Sequence, residues 1–367
     1  MRILFVEPHE HCLFSFRREL LDALINAEHE IVLVIESTEK VRHYYEDKVK
    51  IIDLKQDLKS KNILQNISVK HKYKSIISNE KPDLILSFQV KPNIYCGMYS
   101  KNIPIVANVT GLGNMFKRRG VTSLIGLFLY KKAFKHIDHV IFQNADGLEF
   151  FKNYHIPLNN YEIYPGSGVN VDKFIPNPLL PLDSGLNFLY SSRAIKEKGI
   201  YVLFDAIDIV LAKHNNARFT FLSAEEDLFS NKKFQYLAKE HPNNVKIFER
   251  TDDMVEAYAK MHFLVLPSYY REGISNVLLE SLSCERPIIT TNDNPGCKEV
   301  LVEGENGYGV KSNDVSSLVL AIEKAINTPY EKIKQMGKFG RQFVVEEFNR
   351  NIVINNYMAI IDKYNKK

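Results

Sequence analysis

The chain is poor in cysteine and has no long apolar run. Of its 367 residues only four are cysteine (Cys12, Cys96, Cys284 and Cys297), and they form no C-x-x-C pair. A disulfide framework and a structural zinc site are thereby excluded, and a reduced, cytoplasmic setting is expected. No apolar stretch reaches the ~20 residues that cross a bilayer as a helix. The opening MRILFVEPHE enters a strand pattern at once, with neither a basic stretch nor a small-residue cleavage site, so no secretory leader is expected. Charge is nearly balanced, at +4. The basic residues come with no aromatic-platform motif, so no nucleic-acid partner is expected.

What is present is ordinary globular composition, 45% hydrophobic and 25% charged, in a chain longer than a single core usually supports. Two domains are therefore expected. RILFVE (2–7), EIVLVIE (30–36), DLILSF (83–88), PIVANVT (104–110) and HVIFQN (139–144) are short and apolar, as strands of a sheet covered on both faces should be. Stretches such as FSFRRELLDALIN between them carry the spacing of crossover helices. LNFLYSS (186–192), RFTFLSA (218–224), VKIFE (245–249), FLVLPS (263–268) and PIITT (287–291) repeat this grammar. YPGSGVNVDKFIPNPLLPLDSG (164–185) separates the halves and reads as a linker. The fold expected is α/β, with two Rossmann-like, doubly wound parallel-sheet domains over residues 1–170 and 171–349. A closing helix at about 350–367 is expected to pack back on the first. Ligands of such sheets bind at the strand carboxyl ends, so two facing sheets would form one interdomain cleft.

Residues 268–291 read SYYREGISNVLLESLSCERPIITT. Glu272 and Gly273 fall in the loop after a strand, Ser275 or Asn276 can cap the helix that follows, and Glu280 lies on that helix. A helix N-terminus offers unpaired N–H groups and a partial positive charge, which suits phosphate, and Gly273 lets the backbone approach closely. At ~1.5 Å per residue Glu280 lies about 12 Å beyond Glu272, roughly the length of a sugar–diphosphate–ribose unit. Two surface glutamates are the plain alternative. SSRAIKEKGI (191–200) directly follows the first strand of this half and puts Arg193 and Lys198 on a strand-to-helix turn. Arginine grips phosphate bidentately and lysine adds a point charge. Either element alone could be a solvated pair; both at the carboxyl ends of one sheet describe a diphosphate clamp.

SSRAIKEKGI together with LPSYYREGISNVLLESLSCERPIITTNDNPGCKEVLVEGENGYGV resembles the retaining glycosyltransferases of the GT-B fold called family 4, or group 1. Nearly the whole chain fits, including the hinge GSGVNVDKFIP and the two closing helices. The resemblance implies that Arg193 and Lys198 hold the diphosphate, that Glu272 contacts the donor sugar and that Glu280 takes the ribose hydroxyls. It further implies that Gly273, Ile274, Ser275 and Asn276 touch sugar and phosphate, and that the loop FERTDD (248–253) borders the uracil, with Arg250 a candidate. No D-x-D triplet occurs, so no essential metal and no cofactor are expected; the UDP-sugar is a substrate.

The first half would then take the acceptor. NVTGLGNMF (108–116) is similar to the T-G-L-G segment of members that build bacterial surface polysaccharide on undecaprenyl diphosphate. Thr110, Gly111 and Gly113 are therefore acceptor candidates, although a plain turn after PIVANVT is the alternative. The first strand-to-helix loop, VEPHEHCLFSFRREL (6–20), lacks the glycine-rich turn of many relatives, and His9 or Glu7 could serve there instead. His9 and His11 have no further ligand around them, so no metal is expected. The segment MFKRRGVTSLIGLFLYKKAFK (115–135) holds six basic residues and no acid. It can lie on an anionic membrane without spanning it, or its centre can simply be a buried crossover helix.

The expectation is a transferase at the inner face of the plasma membrane. It would move a hexose or N-acetylhexosamine (Gal, GlcNAc or GalNAc type) from a UDP-sugar to a polyprenyl-diphosphate-linked sugar, with retention, in capsule or O-antigen synthesis. A GT-B sugar-nucleotide epimerase and a non-catalytic sugar-nucleotide-binding subunit are the rivals.

Overall fold

The computed structural model describes residues 1–54, 63–100, 102–111, 121–183, 185–222, 228–248, 253–271 and 273–365, with the side chains of 63–67, 121–122 and 248 excepted. The chain divides into two units, Met1–Ser167 with Asn351–Lys367, and Gly168–Arg350.

The first unit is built on seven parallel strands. They are β1 (Arg2–Val6), β2 (Glu30–Ile35), β3 (Lys50–Asp53), β4 (Leu84–Phe88), β5 (Ile105–Val109), β6 (His139–Phe142) and β7 (Asn160–Ile163), in the order β3-β2-β1-β4-β5-β6-β7. Leu4 of β1 pairs with Val32 and Ile85. Alternate side chains leave a strand on opposite faces. Leu4 and Val6 accordingly enter one core with Val32 and Ile85, and Ile3 and Phe5 enter another with Leu33 and Leu86. The last helix, Arg350–Asn365, seals the second core with Val353, Tyr357, Ile360 and Ile361, one stripe at helical spacing.

The second unit repeats the plan with six parallel strands. These are β8 (Asn187–Ser191), β9 (Arg218–Leu222), β10 (Val245–Phe248), β11 (Phe263–Leu266), β12 (Ile288–Thr291) and β13 (Gly307–Val310), in the order β10-β9-β8-β11-β12-β13. Each sheet reverses its order at one point, between β1 and β4 and between β8 and β11. The carboxyl ends at such a switch point are where open α/β sheets take ligands. This is the doubly wound α/β architecture that the apolar runs implied.

Three strands escaped the sequence pattern, and all three close a sheet edge. β3 and β7 are largely exposed and carry polar residues. β13 reads GYGV; a Cβ on Gly307 would lie 2.1 Å from the Ile288 carbonyl oxygen, so close pairing replaces an apolar side chain there. The Pro- and Gly-rich stretch is no loose tether beyond Gly168. Arg286, fully buried, donates to the carbonyls of Asn177 (3.0 Å) and Pro178 (3.3 Å), and Arg341 donates to that of Phe174 at 3.0 Å.

Candidate functional site

The β8 and β11 exits of the second unit are bolted together. After β8 the chain passes Arg193 and a 3-10 turn, Lys196–Lys198, then starts the helix Ile200–Leu211 from Gly199 at φ +77°. A Cβ on Gly199 would stand 2.1 Å from the Pro267 carbonyl oxygen. Only glycine meets both the left-handed backbone and the close approach. The Tyr269 N–H donates to the Glu197 carbonyl at 2.9 Å, and the Ser268 hydroxyl adds a bond to it at 3.4 Å. From the far side, Asn294 Nδ2 donates to the carbonyls of Ser268 (2.9 Å) and Tyr270 (3.3 Å).

This bolt brings the two predicted cations to one ring. The Arg193 guanidinium lies 5.6 Å and the Lys198 ammonium 5.5 Å from the centroid of Tyr270. The ring face attracts both charges and holds them on one side of the loop. The Tyr190 hydroxyl fixes the Arg193 carbonyl at 3.0 Å. Among the described residues no carboxylate pairs with Arg193, which is exposed, whereas Lys198 is 6% exposed. Two cations that converge at a switch point suit a diphosphate. Tyr270 had no motif to mark its part in this.

Beyond Tyr270 the loop leads to the helix Asn276–Ser283. Gly273, Ile274 and Ser275 are buried. The Ile274 side chain joins the hydrophobic core, so only its backbone is free to meet a ligand. Ser275 is the N-cap residue, but its side chain makes no capping hydrogen bond, and its N–H goes to the Gly296 carbonyl at 3.2 Å. The Asn276 side-chain oxygen is sealed from solvent and has no donor among the described residues. Glu280 lies farther along, where the Tyr258 hydroxyl donates to Oε2 at 3.0 Å. Burial pushes its pKa up to about 7, against the pull of that hydrogen bond and of the positive charges of Arg350 and Lys173. Glu280 is thus a carboxyl on the edge of ionising, able to accept or donate toward a hydroxyl. Glu272 and Arg250 lie outside the described residues.

In the first unit Thr110 and Gly111 directly follow β5, as the sequence placed them, whereas Gly113 and the basic run Lys117–Arg118–Arg119 lie outside the described residues. His9 opens a short turn, Glu10–Cys12, and its backbone N–H faces Glu7 Oε1 at 3.5 Å. The helix Val121–Phe134 has two faces. Tyr130, Ala133 and Phe134 are fully buried, while Leu124 (69%), Ile125 (54%) and Phe128 (65%) stand exposed beside exposed Lys132 and Lys135. Among the described residues no helix is long and apolar enough to cross a membrane, and no group of three or more His, Cys, Asp or Glu could hold a metal ion.

Residues 173–343 match the family model for glycosyl transferases group 1, and residues 2–144 match that for glycosyl transferase 4-like. The capsular polysaccharide biosynthesis glycosyltransferase CapM of Staphylococcus aureus is 30% identical over 179 residues, covering 48% of this chain and 46% of CapM. The match thus spans about half the length of that relative. An uncharacterized glycosyltransferase of Methanocaldococcus jannaschii is 27% identical over 277 residues, 74% of this chain and 72% of its own. Anabaena HepE, solved in complex with UDP, superposes with a TM-score of 0.78 at 16% identity, over 99% of this chain and 100% of HepE. Sucrose-phosphate synthase from Thermosynechococcus elongatus gives 0.80 at 17%, over 99% and 98%.

Proposed function

The chain belongs to the group 1 glycosyltransferases of the GT-B fold, and we propose that it moves a hexose or N-acetylhexosamine from a UDP-sugar to a polyprenyl-diphosphate-linked sugar, with retention. The observation that carries this reading is the pair Arg193 and Lys198 gathered on Tyr270 at the β8 and β11 exits. When the bond from the anomeric carbon to the phosphate oxygen breaks, UDP leaves with the electron pair. Cations already in place stabilise that charge without reorganising. Glu280 would take the ribose hydroxyls and Glu272 the transferred sugar. HepE has been solved with UDP and with UDP-glucose, which favours a UDP-linked donor here. The part of CapM in capsular polysaccharide synthesis favours a surface-glycan product.

The acceptor's lipid anchor calls for a membrane surface. Leu124, Ile125 and Phe128 would enter the lipid interface, with Lys132, Lys135 and the 117–119 run on anionic headgroups. Transfer would proceed without a divalent metal. The test is incubation with a panel of UDP-sugars, with and without undecaprenyl-diphosphate-linked N-acetylglucosamine. Sugar transfer that requires acceptor supports the reading; epimerisation without acceptor, or UDP-sugar binding without turnover of any kind, replaces it with one of its rivals.

A further inference from the structure

The switch point of the first sheet, within the segment that matches the glycosyl transferase 4-like model, holds a buried carboxyl. Glu7 directly follows β1 and Gln89 directly follows β4, the two strands between which the order reverses. Gln89 adopts φ +74°, a region that side chains other than glycine rarely enter. In that conformation its Nε2 donates to Glu7 Oε1 at 2.6 Å. The His9 N–H reaches the same oxygen at 3.5 Å. Oε1 is therefore held from two sides. Oε2 accepts no hydrogen bond from a described residue, yet it is not among the side-chain atoms sealed from solvent.

Arg17 tempers the charge of Glu7 without bonding to it. Glu7 is 2% exposed and Arg17 is 3% exposed, but among the described residues the two form no ion pair. The Arg17 guanidinium instead lies 4.6 Å from the Phe88 ring centroid and donates Nη2 to Asn108 Oδ1 at 3.4 Å, leaving its Nε sealed and unpaired. A buried carboxyl without a bonded cation, aimed by a residue in a strained backbone, is costly to the fold. Strain of this kind gathers at ligand clamps.

We propose that Glu7 grips a hydroxyl of the acceptor sugar through Oε2, with Gln89 as the positioning residue that aims it. This rests on the glycosyl-transfer reading. The chemistry selects the ligand class: a carboxyl at this spot repels a phosphate and welcomes a neutral polyol, and with one carboxylate it makes no cation site. Burial raises the Glu7 pKa to about 7, partly offset by Arg17. The carboxyl can therefore accept from a hydroxyl when ionised or donate to one when protonated. The titratable or charged groups that sense it are Arg17, Cys12 and Tyr357.

Binding of free monosaccharides tests this without requiring turnover. Titration of the full chain with glucose, galactose, N-acetylglucosamine and N-acetylgalactosamine at millimolar concentration is expected to reveal at least one that binds. Its affinity should change across pH 6–8, should fall at least fivefold in Glu7→Ala, and should lose its pH dependence in Glu7→Gln. Gln89→Ala should weaken it too. Unchanged circular dichroism and melting of the full chain, read beside retained UDP affinity, establish that both units of the variants are folded. If no monosaccharide binds, or if Glu7→Ala binds as well as the unaltered chain, the subsite is overturned whatever UDP does. If sugars bind through Glu7 while UDP does not bind at all, the subsite stands and the UDP-sugar reading falls.

Discussion

The Tyr258 hydroxyl donates to Glu280 Oε2 across 3.0 Å, from the helix Met254–Ala259 to the helix Asn276–Ser283. Through this contact the second glutamate of the E-x7-E pair is aimed from outside its own helix. Burial holds its pKa near 7, so folding costs more as pH rises from the unfolded value of about 4.5 toward 7. Below that window both states are protonated, and above it the penalty is complete. Glu280→Gln is neutral throughout. It should therefore raise the melting temperature relative to the unaltered chain more at pH 8 than at pH 5, by up to about 2–3 kcal/mol of stability. An equal shift at both pH values in thermal melts contradicts a raised carboxyl pKa there.

The two glutamates should fail differently in function. Glu280→Gln should weaken UDP binding by about 1.5–3 kcal/mol, the worth of a charged hydrogen bond, and raise KM more than it lowers kcat. Glu272→Gln should lower kcat and leave plain UDP affinity nearly intact, because UDP lacks the sugar it would touch. Calorimetric titration with UDP separates them; the reverse pattern exchanges the two roles.

Arg193→Ala and Lys198→Ala should each raise the barrier by roughly 2.7–4 kcal/mol, a loss of about two to three orders of magnitude in kcat. Tyr270→Phe keeps the ring face under both cations and should stay close to normal, whereas Tyr270→Ala should cost about 0.5–2 kcal/mol. Near-normal turnover in either cation variant removes the diphosphate clamp.

Gly199→Ala places a methyl group 2.1 Å from the Pro267 carbonyl oxygen at a backbone of φ +77°. It should destabilise the second unit by about 1–3 kcal/mol and loosen the Arg193–Lys198 turn, lowering the denaturation midpoint and UDP affinity together. Unchanged values of both would mean that the β8 and β11 loops part without cost.

Chelation should leave transfer intact. Complete loss of activity in EDTA, restored by Mg²⁺ or Mn²⁺, would show that the cationic side chains do not by themselves carry the leaving-group charge.

Replacing Lys117, Arg118 and Arg119 together by alanine should weaken binding to anionic liposomes by about 1 kcal/mol per charge, an effect that shrinks in high salt. Leu124, Ile125 and Phe128 changed to serine should weaken it in a way that salt does not reverse. Sedimentation with phosphatidylserine vesicles measures both; binding unaffected by either set leaves the exposed face of that helix without a membrane role.

By itself the sequence determined the class of fold and the residue types at the candidate site. A central strand buried on both faces must be a continuous apolar run, so β1, β4 and β11 are written plainly in the chain. SSRAIKEKGI and EGISNVLLES are similarly local, because a strand-to-helix turn needs only neighbouring residues. The edge strands β3 and β7 were hidden because one side faces water and relaxes the pattern, and β13 because a close backbone approach replaced its side chains by glycine. Tertiary structure alone decided which charges meet. Tyr270 is far along the chain from Arg193, Gln89 lies 82 residues from Glu7, and Tyr258 lies 22 residues from Glu280. Burial set the proton affinity of Glu7 and Glu280, since the cost of desolvating a carboxylate depends on what packs around it. That packing comes from distant segments, and no local spacing encodes it.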